Sequence, residues 1–147
     1  MKKITVLGAG LVGKAIATDL SKKFDVTSVD INSGALRELQ SHNIKTEMAD
    51  FTDANKIKSL IAGADLVVGA VPGFLGYQTV KHVIEAGRNM VDISFFSEDA
   101  FLLDQKAKDM NVTIVTDCGV APGISNLVAG YHYKRMKIRN YECLVGG

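Results

Sequence analysis

The sequence predicts an α/β domain built on a doubly wound parallel sheet, with six strands in the order 3-2-1-4-5-6. Short apolar runs alternate with segments of helical periodicity along the whole chain. Most runs are continuous rather than alternating in polarity, as strands covered on both faces require. The first run, Ile4-Thr5-Val6-Leu7, leads straight into Gly8-Ala9-Gly10-Leu11-Val12-Gly13, and the second ends on Asp30. Regular alternation of strand and helix implies parallel pairing through right-handed crossovers.

The strands read as residues 3–7, 25–30, 45–48, 65–70, 90–93 and 113–116, with a seventh over 141–145. Helices are expected over 11–22, 33–41, 52–62, 76–86, 98–109 and 125–134. Val12, Ile16 and Leu20 share one face of the first helix, and Leu36 and Leu39 one face of the second. Ser33 and Thr52 are the expected N-caps, and Gly87 and Asn111 the expected exits. Six strands complete one Rossmann domain over 1–137; residues 138–147 then read as an extra strand or the start of a truncated second domain.

With 147 residues, 47% hydrophobic and 22% charged, the chain can fill one core and not two. A net charge of +1 leaves no electrostatic footprint for nucleic acid or a membrane surface. The densest basic cluster, Lys134-Arg135-x-Lys137-x-Arg139, reads as a solvated helix end. No apolar run approaches the roughly 20 residues that span a bilayer. Met1-Lys2-Lys3 runs directly into a strand, so no leader peptide is expected. Cys118 and Cys143 lack metal-site or redox-pair spacing, which fits a cytoplasmic protein with reduced thiols and no metal.

The glycine segment carries the clearest chemistry. Gly8 allows a tight turn off the strand, Gly10 lets a pyrophosphate approach the backbone, and Gly13 lets the helix pack close to the sheet. Unpaired N–H groups at the start of the helix, with its positive dipole end, suit phosphate charge. Asp30 lies where a carboxylate accepts hydrogen bonds from ribose hydroxyls and repels a 2′-phosphate. Ile31 and Asn32 follow, with no arginine to cradle that phosphate. NAD is therefore expected over NADP.

Ligands of such sheets lie beyond the carboxyl ends of the strands. After the third strand, Asp50 and Phe51 suit an adenine, while Asp50 and Thr52 equally suit helix capping. After the fourth, Val71 and Pro72 let the backbone pass close to the ribose on the nicotinamide side. After the fifth, Phe95 and Phe96 suit a nicotinamide wall or a neighbouring domain. After the sixth, Gly119 and Gly123 bracket Ala121-Pro122, and Ser125 and Asn126 open a helix whose N–H groups suit a carboxylate or carboxamide. Cys118 invites a nucleophile's role but has no recognisable base. His42, His82 and His132 are isolated and suit surface or packing roles. No catalytic residue emerges.

The 8–13 fingerprint, Asp50-Phe51-Thr52-Asp53, Gly69-Ala70-Val71-Pro72, Val91-Asp92-Ile93-Ser94-Phe95 and the 117–126 stretch Asp-Cys-Gly-Val-Ala-Pro-Gly-Ile-Ser-Asn occur in that order. Together they resemble the saccharopine dehydrogenase family, and within it the lysine 6-dehydrogenase-like branch. The resemblance covers essentially the whole chain. The closing Val145-Gly146-Gly147 resembles the family's crossing into a second α/β domain, missing here. The resemblance implies NAD(P)-dependent oxidation of an amine, or reduction of an imine, on a lysine-derived, amino-acid-like substrate. It also implies that Gly8, Gly10, Leu11, Val12 and Gly13 hold the pyrophosphate, Asp30 the adenosine ribose, with Ile31 beside it, and Asp50 and Phe51 the adenine. Val71, Pro72 and Ser94 would approach the nicotinamide, and Gly123 and Asn126 would face nicotinamide or substrate. A full-length homodimer is implied, its second domain supplying much of the substrate pocket. Saccharopine-forming relatives often use NADP, whereas Asp30 points to NAD. The competing reading is a non-catalytic NAD(H)-sensing domain of the potassium-transport type. Such domains share the glycine motif, the acidic end of strand two and an acidic stretch like 49–53, but give no role to Ala121-Pro122-Gly123.

Overall fold

The computed structural model describes residues 1–146. Strands β1 (Lys3–Leu7), β2 (Asp25–Asp30), β3 (Lys45–Met48), β4 (Leu66–Gly69), β5 (Met90–Asp92) and β6 (Ile114–Val115) form one sheet in the order β3-β2-β1-β4-β5-β6. Every pairing is parallel. The expected strand order and fold class are both present. The first three strands match their expected bounds, and the last three are shorter by a residue at one or both ends.

Five α-helices carry the crossovers, α1 (Leu11–Ser21), α2 (Ser33–Ser41), α3 (Ala54–Ile61), α4 (Gly73–Glu85) and α5 (Asp104–Asp109), and among the described residues a sixth, α6 (Ile124–Tyr133), follows β6. The expected helix over 98–109 is split, with a 3-10 turn at Ala100–Leu103 ahead of α5. Alternate strand residues feed two cores. Leu7, Val29, Val67 and Met90 pack with Ile57 and Ile61 of α3 and Val80, Val83 and Ile84 of α4. Ile4, Val6, Val26 and Val68 pack with Ala17 of α1 and Leu36 and Leu39 of α2. Each fully buried Leu or Ile contributes roughly 2 kcal/mol. On α1 the expected face is broken: Ile16 and Leu20 pack on the core, but Val12 is exposed.

Two caps fall one residue away from expectation. Asn32, not Ser33, caps α2, its Oδ1 accepting from the N–H groups of Gly34 and Ala35 at 2.9 and 3.2 Å. Asp53, not Thr52, caps α3 through Oδ1, which accepts from the Lys56 N–H at 3.0 Å. The helix begins at Ala54, which puts Asp53 in the capping position, while Thr52 gives its N–H and its hydroxyl to Asp50. Asp53→Ala should cost about 1 kcal/mol and lower the melting temperature by roughly 2–4 °C, read by scanning calorimetry. Gly87 and Asn111 end their helices at φ +66° and +52°, as expected.

The expected seventh strand does not form. Residues 141–146 have no regular structure, and Tyr141 Oη donates to the Ser125 carbonyl at 2.9 Å. A strand needs a neighbour to take its N–H and C=O groups, and the described residues show no ladder between this segment and β6. Gly147 lies outside the described residues.

Crossovers leave β1 and β4 in opposite directions along the sheet, which opens a crevice at their carboxyl ends. There the Gly8 N–H bonds the Val29 carbonyl at 2.8 Å and the Ala70 N–H bonds that of Leu7 at 2.7 Å.

Candidate functional site

The three glycines of the first turn occupy different environments. Gly8 sits at φ +108°, and a Cβ there would lie 2.3 Å from the Ala70 carbonyl oxygen. A Cβ on Gly13 would lie 2.1 Å from the Gly8 carbonyl oxygen. A Cβ on Gly10 would meet nothing within 4 Å among the described residues. Turn geometry and helix packing thus demand glycine at 8 and 13, whereas at 10 the backbone borders open space. The first intrahelical bond runs from the Lys14 N–H to the Gly10 carbonyl at 2.9 Å. The N–H groups of Gly10, Leu11, Val12 and Gly13 have no acceptor among the described residues. This cradle fits a diphosphate: four unpaired donors, a positive helix end and no side chain in the way.

Asp30 closes one side of the crevice. Its Oδ2 accepts from the Ala9 N–H at 2.6 Å and its Oδ1 from the Asn32 N–H at 2.8 Å. The carboxylate therefore braces the glycine turn and keeps further acceptor capacity. Leu11, Val12 and Ile31 are exposed.

After β3, Asp50 is exposed, and its Oδ1 accepts from the Thr52 N–H and hydroxyl, both at 2.8 Å. Those bonds hold its carboxyl below the usual range. Phe51 corrects an expectation. Its ring is buried among core residues that include Leu7, Val29 and Ile57, so it presents no stacking face to an adenine. Burial of an aromatic ring outweighs any exposed role here.

After β4, Val71 is buried and Pro72 is the exposed N-cap of α4. Ser94 also departs from expectation: it is buried and its hydroxyl is donated to Asp92 Oδ2, so it is not open to a ligand. The aromatic pair divides. Phe95 is 73% exposed, while Phe96 packs edge-on against Tyr77 at 5.8 Å. Asp92 was singled out by no sequence argument for a role of its own. It is fully buried, and burial pushes its carboxyl up to about 6, with Asp117 adding to the rise against two Ser94 hydrogen bonds. In the sequence it stands within the Val91–Phe95 stretch, a carboxylate near the end of an apolar run.

After β6, the Cys118 N–H bonds the Asp92 carbonyl at 3.0 Å. Burial of its sulfur, then Asp92 and Asp117, push the thiol up, which disfavours a thiolate nucleophile. The donors expected at the start of α6 are already taken. Ile124 and Ser125 donate to the Gly119 and Val120 carbonyls at 3.0 and 3.2 Å, and Asn126 and Leu127 to that of Gly123 at 3.0 and 3.1 Å. Gly123, at φ +137°, makes this closure possible: a Cβ there would lie 2.0 Å from the Gly119 oxygen. The N-terminus of α6 is therefore closed to a carboxylate, unlike that of α1, though the Asn126 side chain stays exposed. A hollow of about 590 Å³ lies by β6 and α5, lined by Phe95, Phe96, Phe101 and Ile114 among others, apart from the glycine turn. Among the described residues no group of three or more His, Cys, Asp or Glu converges on a metal position, and no helix is long and apolar enough to cross a membrane.

The family model described as saccharopine dehydrogenase NADP binding domain matches residues 4–115. A saccharopine dehydrogenase (NADP(+), L-glutamate-forming) of Pyricularia oryzae is 26% identical over 99% of this chain and 34% of its own length. The mitochondrial alpha-aminoadipic semialdehyde synthase of Rattus norvegicus is 25% identical over 99% of this chain and 17% of its own. The chain thus spans about a third or less of these relatives. In fold, it superposes on apo saccharopine dehydrogenase (L-Glu forming) from Saccharomyces cerevisiae with a TM-score of 0.83 at 22% identity, over 92% of this chain and 31% of that one. GenD2 from gentamicin A biosynthesis, solved in complex with NAD, gives a TM-score of 0.63 at 20% identity, over 78% of this chain and 34% of that one. With the family model matching residues 4–115, most of its length, the chain belongs to the saccharopine dehydrogenase NADP binding domain family.

Proposed function

We propose that this domain seats NAD(H) in the β1–β4 crevice for an oxidoreductase acting on the amine or imine of a lysine-derived amino acid. The observation that carries the reading is the open start of α1, with four unpaired N–H groups around an unobstructed Gly10. These donors would take the diphosphate, Asp30 the adenosine ribose and Asp50 the adenine. The backbone at Val71 and Pro72 would border the nicotinamide end. The cofactor supplies the hydride chemistry, and this chain supplies orientation and charge.

The family description and the Pyricularia oryzae relative's name both read NADP. Asp30 favours the unphosphorylated cofactor here, because a 2′-phosphate would meet a carboxylate followed by Ile31 and Asn32 rather than a basic side chain. In titration calorimetry, NAD should bind at least about tenfold tighter than NADP, a difference of roughly 1.4 kcal/mol. Asp30→Ala should bring the two within about twofold and weaken both, since the Ala9 brace is lost as well. An unchanged ratio, or tighter NADP binding by the parent, overturns the assignment.

The substrate side rests on the relatives, whose printed names include saccharopine dehydrogenase. Full-length protein carrying this domain should reduce NAD with lysine or saccharopine as donor, and act as a homodimer. The two free thiols suit a reducing compartment such as the cytoplasm.

A further inference from the structure

Asp92 stands where an apolar side chain would be the cheaper choice. It ends β5 in register with Gly69 of β4 and is completely buried. Its Oδ2 accepts the Ser94 N–H at 3.1 Å together with the Ser94 hydroxyl, while Oδ1 has no partner among the described residues. Oδ1 fits only because residue 69 lacks a side chain: a Cβ there would lie 2.0 Å away. Two further glycines bring the start of α4 down onto the same segment. A Cβ on Gly76 would lie 2.3 Å from Ser94 Oγ, and one on Gly73 would lie 2.1 Å from the Phe95 carbonyl oxygen. Backbone bonds join the neighbouring strands at this level, from the Ile93 N–H to the Gly69 carbonyl and from the Cys118 N–H to the Asp92 carbonyl, both at 3.0 Å. Segments leaving β4, β5 and β6 therefore meet at Asp92 and Ile93, where the buried carboxyl sits.

An orphaned carboxyl oxygen inside a protein is a net cost to folding. Such costs concentrate where a site needs a particular geometry. The carboxyl ends of β4 and β5 border the half of the crevice opposite the adenine side. Ser94, turned inward, links Asp92 to the chain that surfaces at Phe95.

We propose that Asp92 is a positioning residue for the nicotinamide half of the cofactor, setting through Ser94 the depth of residues 93–96 against the Ala70-Val71-Pro72 turn. This rests on the cofactor reading above and extends it to a residue that touches no ligand.

The test uses the 147-residue chain titrated with NADH and with ADP-ribose, which keeps the adenosine, diphosphate and second ribose but lacks the nicotinamide. Calorimetry gives both affinities, and nicotinamide fluorescence reports the environment of the ring. Asp92→Ala and Ser94→Ala should each weaken NADH by about tenfold and ADP-ribose by no more than about twofold. Asp92→Asn keeps an acceptor for Ser94 and should return NADH to within about threefold of the parent. Equal losses for both ligands, no loss for NADH, or no rescue by Asn overturns the proposal while the cofactor reading stands. A parent chain that binds neither ligand overturns both. Ser94→Ala, which leaves the buried carboxyl in place, keeps the test decisive if Asp92→Ala does not fold.

Discussion

Gly10→Ala is expected to weaken NAD(H) binding by about 10- to 100-fold while leaving the melting temperature within about 2 °C of the parent. The binding loss corresponds to one disrupted set of hydrogen bonds to a charged group, about 1.5–3 kcal/mol. The fold should not notice, because a Cβ at 10 meets nothing within 4 Å and its φ of −66° is open to any residue. Gly13→Ala should lose both properties. Its Cβ would lie 2.1 Å from the Gly8 carbonyl oxygen and 2.8 Å from the Gly8 carbonyl carbon. Neither backbone atom can yield without moving β1 or α1. Overpacking of this kind costs roughly 3 kcal/mol, or roughly 6–12 °C in a chain of this size. Scanning and titration calorimetry on the two variants read the contrast. If both melt early, or both still bind, the division of labour between the glycines is wrong.

Between about pH 4 and pH 6 the parent should lose about 2 kcal/mol of stability that an Asp92→Asn chain keeps. Burial raises the Asp92 carboxyl from 3.8 to about 6. Over that interval the folded chain holds a proton that the unfolded chain has released. Its contribution is therefore fully present below the unfolded value, falls as pH rises through the folded value, and is level above it. The slope is about 1.4 kcal/mol per pH unit. Glu85 works in the opposite sense at lower pH. Lys106 and Lys58 hold its carboxyl down to about 2 from 4.5, so its contribution is lost as pH falls below about 4.5. Being partly exposed, it contributes less than that shift implies. Comparing parent with variant cancels it. Urea midpoints from pH 4 to 8, at constant slope, measure the difference. Parallel profiles would show that Asp92 is ionised at pH 4 like an ordinary surface carboxylate. Together with the nucleotide titrations, the experiment asks whether a group that costs stability is retained for what it holds in place.

Much of this molecule was legible along the chain because the governing interactions are local or periodic. Continuous apolar runs give two-sided burial, and strict strand–helix alternation leaves few topologies, so the strand order followed. Gly8 and Gly13 could be assigned because a tight turn and a close helix approach recur in every glycine fingerprint of this kind. Gly87 and Asn111 marked helix ends through their tolerance of positive φ.

Where two groups compete for the same partner, local pattern could not decide. Asp53, not Thr52, caps α3 because the helix starts at Ala54, and Thr52 turns its N–H and hydroxyl to Asp50 instead. Phe51 and Ser94 sit on loops that face the crevice in sequence, yet one ring entered the core and one hydroxyl bonded a buried carboxyl. The start of α6 resembles that of α1 as text, but its donors are consumed by the loop that precedes it.

The order of strands and helices, and the place of the glycine turn, were determined by sequence alone, because periodicity and turn chemistry are written in neighbouring residues. Tertiary structure decided which donors stay open, which side chains turn inward and that Asp92 lies buried without a full set of partners. Those outcomes depend on atoms tens of residues away, such as Gly69 and Gly76, whose missing side chains make the room.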